Sequence, residues 1–224
     1  MIELFQFPWS PFCLPQQRIL EYSGAAFKLV KVLPQERSIV WKLTERQYYG
    51  VPILRDGKKI VFETGDDSQV VAKYLDAKFK LELFPVRLEG AQSILWHYIE
   101  NDVEAATFRL NDVYYQENYR REKMPATDEL QYLRFKERKF GRGCIDQWRK
   151  QKSDWLKKLE SSLTPFEHTL AHTRFLLGDR PRFVDFDLIG MLDNFLYSGH
   201  YQLPKSLPNI RRWHCQVRTV RARI

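Results

Sequence analysis

The sequence predicts a two-part chain, an α/β unit of order β-α-β-α-β-β-α over residues 1–80 and an all-helical bundle over residues 86–224. Three observations lead there. Strand-forming runs occupy Ile2–Phe7, Phe27–Val32 and the pair VPIL and KKIVF, and none recurs beyond Phe84-Pro85. Asp56-Gly57, between the last two runs, is a strong hairpin signal. After residue 86, apolar residues recur at helical spacing through several long stretches.

The elements follow in order. The first strand stops at Pro8. Ser10 then reads as a helix cap with Pro11 at the first helical position, where a missing N–H costs nothing. Gly24 ends that helix, and Pro15 must either fall within its first turn or bend it. A second strand covers Phe27–Val32. Residues 35–48, polar with Ile39, Trp41 and Leu43 as anchors, form a short helix. The hairpin comes next. Asp67-Ser68 then caps a helix on which Val70, Val71, Tyr74 and Leu75 share a face. In the second part, Ala91 to Val113 reads as one long amphipathic helix, and residues 118–130, with Met124-Pro125, as a break. A second long helix runs from Cys144 to Ala171, kinked or split by Pro165. Further helices cover Val184–Tyr197 and Pro208–Val217.

Composition narrows the function. No apolar run is long enough for a membrane span, and the N-terminal residues lack a secretory pattern, so the expectation is a cytoplasmic protein with no membrane partner. Cys13, Cys144 and Cys215 are sparse and odd in number, which argues against a disulfide scaffold. His168 and His172 lie four apart without an intervening glutamate in metal-site spacing, so no metal is expected. The net charge of +8 divides into +2 on residues 1–85 and +6 on the rest, densest at RFKERKFGRG. Such runs are ordinary solvated helix faces, and no nucleic-acid-binding motif accompanies them.

Three local patterns carry chemistry. In Trp9-Ser10-Pro11-Phe12-Cys13, free N–H groups at a helix start favour an anion. The Ser10 hydroxyl there has the chemistry to stabilise a bound thiolate, and Cys13, one turn on, is the alternative reactive thiol. Equally, Ser10 is a plain cap and Cys13 a small core residue. Val51-Pro52 opens a strand, where proline removes a ladder donor. A cis bond there would turn the Val51 backbone toward an extended peptide; the plain reading is an edge-strand proline. Asp66-Asp67-Ser68 precedes a helix, where Ser68 suits a carboxylate and Asp67 an ammonium, the two ends of a free amino acid. A bare cap is the plain reading.

These residues resemble the cytosolic glutathione transferase superfamily. SPFCLPQQRILEYSG is similar to its catalytic Ser/Cys segment, and Ser-Pro-Phe-Cys also to the glutaredoxin Cys-Pro-Tyr-Cys motif with the first cysteine replaced. GVPIL resembles the cis-proline loop, DDSQVVAKYL the acidic–serine element, FLLGDRPRFVDFDLIGML the buried-helix motif and LPNIRRWHCQV the closing helix. The resemblance covers nearly the whole chain. It implies a thioredoxin-like N-terminal domain and a helical acceptor-binding domain, paired as a homodimer. Ser10 would activate the glutathione sulfur, Val51 with Pro52 would hold the cysteinyl backbone, and Asp67 and Ser68 the γ-glutamyl end. Asp185 would serve a structural capping box, although Arg182 stands where the family has Ser or Thr. Residues 118–147 are longer and more basic than the usual link and would shape the acceptor pocket. Tyr98, Phe108, Tyr114 and Tyr115 are further acceptor-side candidates.

The implied reaction is attack of the glutathione thiolate on a hydrophobic electrophile. Its alternatives are a glutathione-dependent thiol reductase or lyase using Cys13 or glutathione itself, and a non-catalytic interaction module of the same fold. No cofactor beyond glutathione as cosubstrate is implied, and nucleic acid is not an expected partner.

Overall fold

The computed structural model describes residues 1–64 and 69–222. Strand β1 (Ile2–Gln6) leads into helix α1 (Cys13–Ser23) and strand β2 (Phe27–Lys31). Helix α2 (Ser38–Leu43), strands β3 (Ile53–Asp56) and β4 (Lys59–Phe62) and helix α3 (Val70–Phe79) complete the β-α-β-α-β-β-α order. The sheet runs β2-β1-β3-β4. β1 lies parallel to β2 with Ile2 opposite Phe27, and antiparallel to β3 with Leu4 opposite Leu54. Asp56 faces Lys59 across the hairpin, leaving Gly57-Lys58 as a two-residue loop, and Gly57 sits at φ +62°. That left-handed backbone is what the sequence signal at Asp56-Gly57 supplies.

Among the described residues after Phe79, every named element is helical, and the connections hold a single β-bridge between Phe175 and Gly178. Helices α4 (Glu89–Tyr98) and α5 (Glu104–Asp112) are joined through a π-helical turn at Ile99–Val103, so the expected long helix is continuous but widened in its middle. Helix α6 (Tyr115–Arg121) and helix α7 (Ala126–Phe140) flank a break that occupies only 122–125, where Lys123 turns at φ +53°. Helices α8 (Cys144–Lys150), α9 (Lys152–Leu170), α10 (Phe183–Tyr197) and α11 (Pro208–Thr219) follow.

One expectation is corrected. The Cys144–Ala171 stretch divides at Gln151, not at Pro165. The Gln151 backbone leaves helical values at φ −91°, ψ +14°, whereas Pro165 lies inside an uninterrupted α9. A single proline removes one ladder bond. The bond removed is the one to the Ser161 carbonyl, and the buried Leu163, Phe166 and Leu170 on either side of the proline pack α9 into the apolar core.

The largest apolar core is shared by both parts. Ile19 and Leu20 of α1 belong to one buried cluster with Leu163 of α9 and Phe186 and Leu188 of α10. α10 approaches α1 so closely that a methyl group added at Gly190 would stand 2.4 Å from Pro15 Cδ. Pro15 is the third residue of α1 and therefore falls in its first turn, where no N–H is missed. Asp185, fully buried, holds the start of α10. Its Oδ2 accepts the Arg182 N–H (2.9 Å), and its Oδ1 accepts the Leu176 N–H (2.9 Å) and Trp213 Nε1 (2.8 Å). A guanidinium cannot accept, so the Asp185 N–H bonds to the Arg182 carbonyl (3.0 Å), and the capping box is half made by side chains. No helix among the described residues is long and apolar enough to cross a membrane.

Candidate active site

The site forms where the turn between β1 and α1 meets α5 and α7. The Ser10 N–H donates to Phe7 O (3.1 Å), and the Ser10 carbonyl accepts from both Cys13 N and Leu14 N (3.1 Å each). Ser10 Oγ also accepts the Cys13 N–H at 3.3 Å. The expected cap is displaced: Ser10 accepts first-turn N–H groups, but Phe12 is the N-cap and regular helix begins at Cys13, not Pro11, because Pro11 and Phe12 are spent in a tight lead-in turn. With its lone pair engaged by that N–H, the buried Ser10 hydroxyl retains a proton to donate.

Cys13 is fully buried among Phe5, Val40, Val51 and Ile53. Burial pushes its thiol up to about 12, against the smaller opposing pull of the Ser10 hydroxyl. It is a protonated thiol at neutral pH.

A cavity of about 440 Å³ opens in front of Ser10. Ser10, Arg37 and Val51 line one side, and Phe108, Tyr132 and Phe140 the other. The Val51–Pro52 bond is cis. Asp67 and Ser68 lie outside the described residues. A second cleft, of about 530 Å³ between α1, β2 and α10, contains none of the sequence-derived site residues.

Arg37 was not flagged by the sequence. Its Nε donates to Pro34 O (2.7 Å) and its Nη1 to Tyr49 O (3.0 Å), and the guanidinium lies 5.8 Å from the ring centres of both Phe7 and Tyr49. Among the described residues no carboxylate is in ion-pair contact with it, and the nearby Asp128 carboxylate acts on it only at longer range, so the guanidinium keeps cationic character toward the cavity.

The helical wall is aromatic and braced. Tyr132 Oη donates to Asp112 Oδ1 (2.7 Å) and Lys136 Nζ pairs with Asp112 Oδ2 (2.6 Å). Trp9, beside Ser10, is enclosed by Tyr119, Tyr132 and Tyr197, and its carbonyl accepts Asn194 Nδ2 at 2.6 Å. Glu100 and Glu104, on the π-turn and just after it, face the cavity, and burial raises both carboxyls. Of the four aromatic candidates only Phe108 lines the cavity. Tyr98 bonds to α9, Tyr114 stacks on His200 at 3.8 Å, and Tyr115 packs against Tyr119 and Tyr132. The basic stretch becomes α7, which supplies Tyr132, Phe135, Lys136 and Phe140 to the cavity. No group of three or more His, Cys, Asp or Glu among the described residues is arranged to hold a metal ion.

Comparison with known families decides the lineage. The glutathione S-transferase N-terminal domain family matches residues 4–82 and the glutathione S-transferase C-terminal domain family matches residues 108–214. The chain belongs to the cytosolic glutathione transferase superfamily. Its fold is similar to that of the glutathione transferase GSTFuA3 from Phanerochaete chrysosporium, at 18% identity and a TM-score of 0.78, covering 96% of this chain and 95% of that one. It is similar also to the glutathione S-transferase CsGST63524 of Ceriporiopsis subvermispora, whose structure is a complex with glutathione. That match has 16% identity and a TM-score of 0.73 over 95% and 91% of the two chains. A glutathione S-transferase-I bound with lactoylglutathione matches at 18% identity and a TM-score of 0.64, over 97% and 94%. Comparison with curated proteins finds no match. At these identities the structures establish the thioredoxin-like and helical-bundle architecture of the transferase fold, without assigning a class within it.

Proposed function

We propose that this transferase-fold chain binds glutathione and uses Ser10 to stabilise the thiolate for attack on a hydrophobic electrophile. The observation that carries the reading is the Ser10 hydroxyl. Ser10 lines the cavity at a helix start whose field favours negative charge, and its hydroxyl carries a proton that a thiolate bound there would accept in place of the neighbouring Cys13 thiol. Residues 1–80 form the glutathione-binding unit in this reading, and 86–224 the acceptor unit.

The donor set suits a peptide with two carboxylates and one thiol. Arg37 offers a cation, the Val51 backbone a partner for the extended chain, and the acidic–serine element Asp67-Ser68 the chemistry for the amino-acid head. Glutathione supplies the nucleophile; Ser10 lowers the free energy of its sulfur anion, and Phe108, Tyr132 and Phe140 give the electrophile an apolar wall that excludes water. The Cys13 form of the reductase alternative is disfavoured, because burial leaves that thiol neither accessible nor ionised. A cytoplasmic homodimer is part of the same proposal and rests on the family likeness.

The test is calorimetric titration with glutathione in the parent and in Ser10→Ala, with thiolate absorbance followed against pH. Saturable binding and a bound-thiol pKa about one unit or more below the free value, reversed in Ser10→Ala, is the expected result. Absence of saturable binding by the parent refutes the reading.

A further inference from the structure

We propose that Asp128, on the first turn of α7, is a positioning residue of the glutathione site: it anchors the Pro34–Arg37 segment and thereby holds the Arg37 guanidinium in the cavity. The inference rests on the glutathione reading above and adds to it a residue from the helical part of the chain.

Asp128 is 2% exposed, and three donors from two elements converge on it. Its Oδ2 accepts the Gln35 N–H at 3.0 Å and the Glu36 N–H at 2.8 Å, and its Oδ1 accepts Tyr119 Oη at 2.6 Å. The carboxylate is itself fixed by the helix start, because the Asp128 N–H donates to Pro125 O (3.1 Å). The anchored segment is the one that carries Arg37. Arg37 Nε closes back on Pro34 O, and Tyr49 Oη donates to Gln35 O (3.3 Å), so the side chain is aimed by the backbone that Asp128 grips. Charge-assisted bonds to consecutive amides are the stronger kind and fix direction as well as distance. Without an acceptor there, the two amides turn to water and the guanidinium turns with them. The same helix presents Tyr132 and Lys136 to the acceptor side of the cavity one and two turns further on. One rigid element therefore serves both halves of the site.

The experiment is glutathione titration of the parent, Asp128→Ala, Asp128→Asn and each in an Arg37→Met background. Asp128→Ala is expected to raise the dissociation constant about tenfold, the scale of one lost charge-assisted anchor. Asp128→Asn is expected to stay within about threefold, since the amide oxygen still accepts both N–H groups and its NH₂ donates to the Tyr119 oxygen. In the Arg37→Met background Asp128→Ala is expected to add nothing, because the two changes remove the same contact. With 1-chloro-2,4-dinitrobenzene as the electrophile, Asp128→Ala is expected to raise the KM for glutathione by the same factor as the dissociation constant, and Asp128→Asn to restore it.

A parent-like affinity in Asp128→Ala overturns the proposal. So does an affinity loss of equal size with and without Arg37, which would mean a general effect on the fold. Rapid hydrogen exchange at the Gln35 and Glu36 amides of the parent overturns the anchor even if the alanine variant fails to fold. Absence of glutathione binding by the parent, with those amides protected, refutes the glutathione reading and leaves the anchor itself in place.

Discussion

Replacing Gly190 by alanine gives a test whose sign separates two physical effects. Gly190 lies in the middle of α10, where alanine is the better helix former by about 1 kcal/mol, so propensity alone stabilises the variant. The added methyl, however, would stand 2.4 Å from Pro15 Cδ, 2.5 Å from Pro15 Cγ and 2.8 Å from the Pro11 carbonyl oxygen. Carbon atoms make normal contact at about 3.5–4.0 Å, so α1 and α10 must part by more than about 1 Å. A proline ring cannot rotate aside, and a carbonyl belongs to the backbone. The cost therefore belongs at the upper end of the range for overpacking, about 3 kcal/mol, and the net expectation is destabilisation by about 2 kcal/mol. Urea unfolding followed by circular dichroism reads this as a lower midpoint with an unchanged slope. Because Pro11 follows Ser10 directly, glutathione affinity should fall as well. A variant as stable as the parent or more so, binding glutathione normally, would refute the close-approach argument.

Two further outcomes follow from burial and charge. Iodoacetamide at neutral pH should modify one thiol of the native protein, the exposed Cys215, and leave Cys13 and Cys144 unmodified until denaturant is added, because burial encloses both and raises their thiols. Rapid addition at Cys13, read by peptide mass, would restore the thiol-reductase alternative. Asp56 is held below the usual carboxylate range by hydrogen bonds from Lys78 and then Tyr74. A depressed folded pKa contributes stability above the unfolded value and loses it as pH falls through the folded one. Asp56→Asn should therefore flatten the acid limb of the stability curve below about pH 4, and superimposable limbs would contradict this.

Much of this was legible in the amino-acid order, because the signals are local. Asp56-Gly57 announces its own turn, and Ser10 a helix start. The long helices are written by apolar spacing. What the sequence hid depends on distant partners. Pro165 is a strong local breaker, yet the chain turns at Gln151, whose side chain carries no such signal; burial of Leu163, Phe166 and Leu170 against distant partners keeps α9 whole. Arg37 reads as one more solvated cation in a polar stretch, and only the fold places it beside Ser10. Asp128 looks like an acidic residue in the first turn of a helix, and its amide partners are 92 and 93 residues away. The aromatic residues of the second part show the same limit. Helical spacing places Tyr98, Phe108 and Tyr114 on a helix without telling which face meets the cavity.

The pairing of α1 with α10 also bears on how the chain matures as it is synthesised. The Trp9 carbonyl waits for Asn194, 185 residues later, the Tyr22 ring meets Phe186 in a tilted contact at 5.3 Å, and the Tyr22 carbonyl accepts the Ala222 N–H at 2.8 Å. At about 5–20 residues per second, the interval between the emergence of α1 and of α10 from the ribosome is on the order of ten seconds or longer. Throughout that interval the flank of α1 that packs on α10 has no partner in the chain yet made. The first unit to be made is thus among the last to be finished, and the Ser10 turn takes its final shape only when the far end of the polypeptide comes back to meet it.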